Sequence, residues 1–182
     1  MAIETTITET TITETNGTEA TTAPTVTASR LSNPVKLVPE LGAAAGALYK
    51  AVSNGSVPQG TIDLIQLRAG QIVGNTHLTA LHTESLRAAG ESQERIDAVA
   101  SWQDAPYFTE AEAVALALVE AVLQPTTHGE RVPAALFARA AAHYDEKALV
   151  TLALAIGQVN FFIPLALIGK PLPGVKASEQ WT

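Results

Sequence analysis

From about Ser32 onward, apolar positions recur at helical spacing, and the gaps between them carry residues that start and stop helices. Pro34 stands where a first-turn proline belongs and opens a helix expected to reach about Ser53, with Asn54-Gly55 as its stop. Pro58 opens a second, to Gly74, on which Ile62, Ile65, Leu67, Ala69 and Ile72 form an apolar face. Asn75 or Thr76 caps a third that ends at Ala89-Gly90. Ser92 begins a fourth, carrying Arg95, Ile96 and Val99 and ending near Trp102. Thr109-Glu110-Ala111-Glu112 is close to a capping box, with acids where the helix dipole favours them, and predicts a fifth helix to Leu123. On it Leu116, Val119 and Leu123 have core spacing. Pro133 opens a sixth helix to Tyr144, and Asp145-Glu146 begin a seventh, long and apolar. No strand-turn-strand pair is readable, so the pattern predicts an all-α domain of about six or seven helices over residues 31–182.

Ahead of this pattern the chain reads differently. Residues 4–18 repeat a five-residue Thr-rich unit with one Glu each, and through Thr27 only Ile7, Ile12 and Val26 are β-branched apolar residues. Such a tract buries too little surface to offset its ordering entropy, and residues 1–30 are expected to be a disordered tail, a β-strand being the competing reading. Residues 1–27 lack the basic and apolar regions of a secretory signal. At the other end, Ala148 to Gly169 is apolar enough to raise the question of a membrane. Gln158, Asn160 and Pro164 interrupt it without a flanking basic cluster, so a buried helix or subunit interface is expected.

Composition narrows the function. The 182 residues are 47% hydrophobic and only 5% aromatic, which suits packed helices rich in Ala and Leu. A formal charge of −7 with no basic patch argues against nucleic acid and anionic membrane as partners. With no cysteine there is no disulfide, no thiolate nucleophile and no Cys-ligated zinc. A cytoplasmic location is expected.

Residues 61–104 resemble the carboxymuconolactone decarboxylase superfamily in its alkylhydroperoxidase D-like branch. Leu67-Arg68-Ala69-Gly70-Gln71-Ile72-Val73-Gly74 stands where members carry an LRxSQxNGC-like run. Leu86-Arg87-Ala88-Ala89-Gly90-Glu91 matches the usual helix ending, and Trp102 with Pro106-Tyr107-Phe108-Thr109 the connection that follows. The likeness spans about residues 34–174, is most specific in 64–124, and weakens at Asn160-Phe161-Phe162-Ile163-Pro164-Leu165, where relatives show an Asn-Ala-Trp-Asn-Arg-like string. It implies a helical fold and a homo-oligomer, a trimer or a multiple of it, or a dimer. Peroxidase members use a CxxC pair with a His four residues on and an upstream Glu as proton relay. By position the two cysteines fall on Asn75 and Leu78, the relay His on His82, a further His on His77, and the Glu on Asp63.

Helical spacing puts positions 75, 78 and 82 on one stripe, so a thiol at 78 would sit one turn from the imidazole. Leu78 can neither ionise nor attack, and Asn75 is a good N-cap. The pair reads as conversion of a redox site into an apolar pocket with His82 at its floor. His82 is then either a general acid/base positioned by Asp63, or an inherited, hydrogen-bonded core histidine. Asp63, shorter than Glu by a methylene, either reaches His82 or merely favours the start of its helix. Arg68 either binds a substrate carboxylate or closes a buried ion pair. His77 and His82, five apart, lie about 140° apart around a helix, which disfavours a shared metal. His128 and His143 fall in a loop and near a helix end. No phosphate loop, Ser-His-Asp order or HExxH is present, and no cofactor is implied.

These residues suggest proton transfer by His82, with Asp63 and His77, on a small carbonyl acid or lactone, as decarboxylation or isomerisation, with Arg68, Asn75 and Leu78 contacting the substrate. The alternatives are a non-catalytic oligomeric scaffold or small-molecule binder, and the thiol antioxidant that the family likeness suggests and the missing cysteines oppose.

Overall fold

A computed structural model describes residues 28–175 apart from 125, 127 and 128; the Thr-rich tract through Thr27 and His128 lie outside the described residues. Eight α-helices and one 3₁₀ segment follow one another, and no strand occurs among the described residues: α1 Pro34–Leu37, α2 Glu40–Val52, α3 Gln59–Ile72, α4 Thr76–Ala88, α5 Gln93–Asp97, the 3₁₀ turns Ala98–Asp104, α6 Glu110–Leu123, α7 Ala134–Ala141 and α8 Glu146–Gly169. The fold class is all-α, as expected.

Two expected helices are broken. The first is interrupted because Val38 precedes Pro39 and is forced out of the helical region (φ −133, ψ 86), leaving the one-turn α1 before α2. The fourth tightens after Asp97 into 3₁₀ turns with a non-helical Ser101, which carry Trp102 toward α6. Elsewhere local signals decide the ends. Thr109 and Glu112 form a complete capping box, and Asp145 caps α8 through the amide of Ala148 at 2.8 Å. Ser29 and Arg30 both bond the carbonyl of Gly169, so the first described residues are tied to the end of α8.

Helix α3 is the centre: nine of its fourteen residues are buried, and α4, α6 and α8 pack around it. Its Ile62, Ile65 and Ala69 join α6 and α8 in the larger core, while Leu64 and Leu67 join Leu86, Ile96, Val99 and Leu116 in a second cluster. Burying one such aliphatic side chain contributes about 1.5–3 kcal/mol. Helix α8 is long and apolar enough to cross a membrane by length and composition. Here Ala148, Leu152, Ala155, Val159 and Ile163 are packed in the core, as expected of a buried helix, and its opposite side is exposed at Val150, Phe161 and Ile168. The helix runs on through Pro164, whose missing N–H frees a carbonyl at Asn160 on the exposed side.

Candidate functional site

The turn from α3 to α4 sets the geometry of the site. Gly74, at φ 63, closes α3: its amide bonds Gln71 O at 3.1 Å, and the amide of Asn75 bonds Gly70 O at 3.0 Å. Asn75 then starts α4, its side chain accepting from the amide of Leu78 at 2.9 Å. Helix α4 folds back so closely that a Cβ on Gly70 would meet the backbone nitrogen of Thr79 at 2.9 Å. A glycine at 70 is thus what lets Leu78 and His82 approach α3.

Between α2, α3, α4 and α8 lies a cavity of about 310 Å³. Asp63 and Gln66 from α3, His82 and Ser85 from α4 and Gln158 from α8 line it, with Leu78, Leu81 and Phe162 on one side. Asp63 is 4% exposed; burial raises its pKa, partly opposed by hydrogen bonds from Gln59 and Ser85. His82 is lowered to about 4, first by burial and then by His77, so its imidazole is neutral at neutral pH. Burial therefore drives both titratable groups toward their uncharged forms. No hydrogen bond joins His82 to any described residue, and Asp63 is bonded by Gln59 and Ser85 rather than by His82. Gln66 donates to Gln158 at 2.9 Å, a buried pair across 92 residues of sequence. That pair was not singled out as part of a site, although a Gln in the middle of an apolar helix was the signal for it.

The other expected site residues are placed as follows. Leu78 is buried and lines the cavity wall. Asn75 makes its capping bond to the amide of Leu78 and does not line the cavity. His77 faces away from this cavity, its Nδ1 donating to the carbonyl of Leu172 at 3.2 Å. Arg68 does not line the cavity and makes the ion pair that was the alternative reading of this residue. Its guanidinium is bound by Glu120 at 2.6 Å, by Gln71 and by the carbonyl of Ala100, and Glu120 also accepts from Trp102 and Gln103. A guanidinium so paired has little left for a ligand. Among the described residues, no group of three or more His, Asp or Glu is arranged to hold a metal ion.

Known proteins share this framework. The uncharacterized protein YdfG of Bacillus subtilis is 34% identical over 114 residues, which cover 62% of this chain and 76% of that protein. A crystal structure of ATU0492 from Agrobacterium tumefaciens, a protein of unknown function considered for antioxidant defence as an AhpD, superposes with a TM-score of 0.72 at 29% identity, covering 81% of this chain and 99% of that one. The debrominase Bmp8, solved as a Cys→Ala variant with 2,3,4-tribromopyrrole, shares the fold at a TM-score of 0.64 and 20% identity, over 73% and 70% of the two chains. The family model "Carboxymuconolactone decarboxylase family" matches residues 39–121, from α2 into the last turn of α6, so it includes both helices that carry His82 and Asp63. The chain is a cysteine-free member of the carboxymuconolactone decarboxylase family.

Proposed function

We propose that this chain is a thiol-independent acid/base enzyme that decarboxylates or isomerises a small lactone or carbonyl acid. The observation that carries the reading is the cavity of about 310 Å³ in which buried Asp63 and a neutral His82 stand among amide and hydroxyl groups. A neutral imidazole can accept the proton from the carbon beside a carbonyl, and the electron pair of that C–H bond then moves to the carbonyl oxygen as an enolate. The Gln158 amide, a protonated Asp63 or Ser85 is the available donor to that oxygen. Where the substrate carries a C=C next to that carbon, the enolate is a dienolate, and return of the proton from His82 to its far carbon completes an isomerisation. For a β-keto acid, loss of CO₂ leaves the same enolate, which takes its proton from the imidazolium. A bound carboxylate favours that imidazolium, so a carbonyl acid would bind together with a proton. Arg68 is engaged elsewhere, and no Lys or Arg lines the cavity, which favours the neutral lactone, and with it isomerisation over decarboxylation, within this class.

The test is deuterium exchange beside the carbonyl of γ-butyrolactone, followed by NMR in heavy water. Exchange above the buffer rate is expected, with a loss of about 10²–10⁴-fold in a folded His82→Gln variant. Equal rates in the two proteins would sink the acid/base reading. A second reading, a binder that kept the cavity without the chemistry, is favoured by the missing bond between His82 and Asp63, and it predicts lactone affinity without exchange.

The protein is further proposed to act in the cytoplasm as a homo-oligomer, a trimer or a multiple of it, or a dimer. Helix α2 supports the oligomer, because it is apolar and buries only Val52, beside exposed Val35, Leu37 and Val38.

A further inference from the structure

We propose that a second, apolar cavity next to the His82 cavity is the other half of the same binding site, and that the ligand is a neutral lactone or ketone carrying a hydrocarbon tail. This deepens the acid/base reading and rests on it for the position of the head group.

The second cavity holds about 280 Å³. Leu41, Ala45, Leu165 and Ala166 are among its walls, and His77 is its one titratable side chain. The Nδ1 of His77 is turned to the carbonyl of Leu172, and no Lys, Arg, Asp or Glu lines the cavity. What fits such a space is hydrocarbon. Its boundary with the polar cavity consists of Leu78 and Leu81 from α4 and Phe162 from α8, which line both spaces. These are three side chains with rotamers to change, and Leu81 is 52% exposed. A ligand spanning this boundary lays its carbonyl among His82, Asp63, Gln66 and Gln158 and its tail against Ala45 and Leu165. Neither lining includes Lys or Arg, so nothing there compensates an anionic head. The position that the family likeness assigns to the second cysteine, Leu78, is thereby a shared wall of the two halves.

The experiment is a calorimetric titration of the full chain with γ-butyrolactone, γ-hexalactone, γ-octalactone and γ-decalactone. The dissociation constant should fall about three- to fourfold per added methylene until the tail cavity is filled. One γ-decalactone should bind per chain. In Ala45→Trp, whose indole occupies the tail space from the partly exposed α2, the series should flatten at an unchanged circular dichroism spectrum. A flat series in the unaltered chain overturns the proposal, as does binding of two γ-decalactones per chain. So does a length dependence that appears only after the oligomer is dissociated, since a second copy would then fill the tail space. The slope is read from binding alone. A steep slope without deuterium exchange keeps this site and removes the acid/base reading, whereas exchange with a flat slope does the reverse.

Discussion

Helix α3 presents two polar clusters on different faces, and they are built in opposite ways. Toward α6, Arg68 meets Glu120, and every arm of the pair is taken: Trp102, Gln103, Gln71 and the carbonyl of Ala100 complete it. Toward α4 and α8, Asp63, Gln66, His82 and Gln158 surround open space, with His82 bonded to none of the described residues. The first cluster satisfies itself and so fixes the 3₁₀ turns against α3 and α6. The second leaves polar groups with capacity for a guest. Polarity in a core is thus not a mark of function; incompletely partnered polarity facing a cavity is.

Several substitutions can break or sharpen this contrast. Glu120→Ala should have the largest effect on stability, about 2–4 kcal/mol in urea unfolding, because it strands the Arg68 charge and removes the acceptor of Trp102. Lactone binding by the folded fraction should be unchanged; a loss of binding would mean that the two clusters are one. Gly70→Ala should cost about 1–3 kcal/mol, since the added methyl meets the Thr79 nitrogen at 2.9 Å and pushes α4 away. If its melting temperature matches that of the unaltered chain, α4 can shift without penalty and the cavity is not rigidly held. Asn75→Ala should cost about 1 kcal/mol through the lost cap on Leu78. It removes no group from the cavity, so a change in lactone affinity beyond that of the melting curve would count against its purely capping role.

A further test is the pH dependence of stability. His82 titrates at about 4 in the folded protein against 6.5 in the unfolded chain, so between these values the unfolded chain binds more protons. The stability tied to His82 is complete above pH 6.5 and drains away as the pH falls toward 4. Asp63 works with the opposite sign, because its raised pKa lets the folded state take up a proton first. Chemical denaturation from pH 7 to 4 should therefore show a shallower acid loss in His82→Gln and a steeper one in Asp63→Asn. Identical slopes in all three proteins would mean that neither group is as buried as its place in the cavity implies.

What was legible in the sequence was what is decided locally. The caps at Asn75, Thr109 and Asp145 and the stop at Gly74 depend on residues within one turn, and all four are where the pattern puts them. Pro39 was equally local, yet the apolar spacing from Pro34 onward overshadowed its effect on Val38. The partners of the polar core residues were hidden for a different reason. Glu120 is 52 residues from Arg68, and Gln158 is 92 from Gln66, so no periodicity along one helix connects them. The choice between a substrate-binding and a structural Arg68 needed the tertiary fold. Likewise the family likeness placed His82 and Asp63 in one segment, while their hydrogen bonding, to Gln59 and Ser85 in the case of Asp63, followed from packing.

Leu78 has one more use, which follows from the absence of any cysteine in the chain. A Leu78→Cys variant carries a single thiol, at the wall shared by the polar and apolar spaces. Any thiol-directed fluorophore, spin label or ¹⁹F tag then attaches at one address, with no background labelling to subtract. The same position that gives up nucleophilic chemistry becomes a reporter on which chamber a guest occupies and how often the door between them opens.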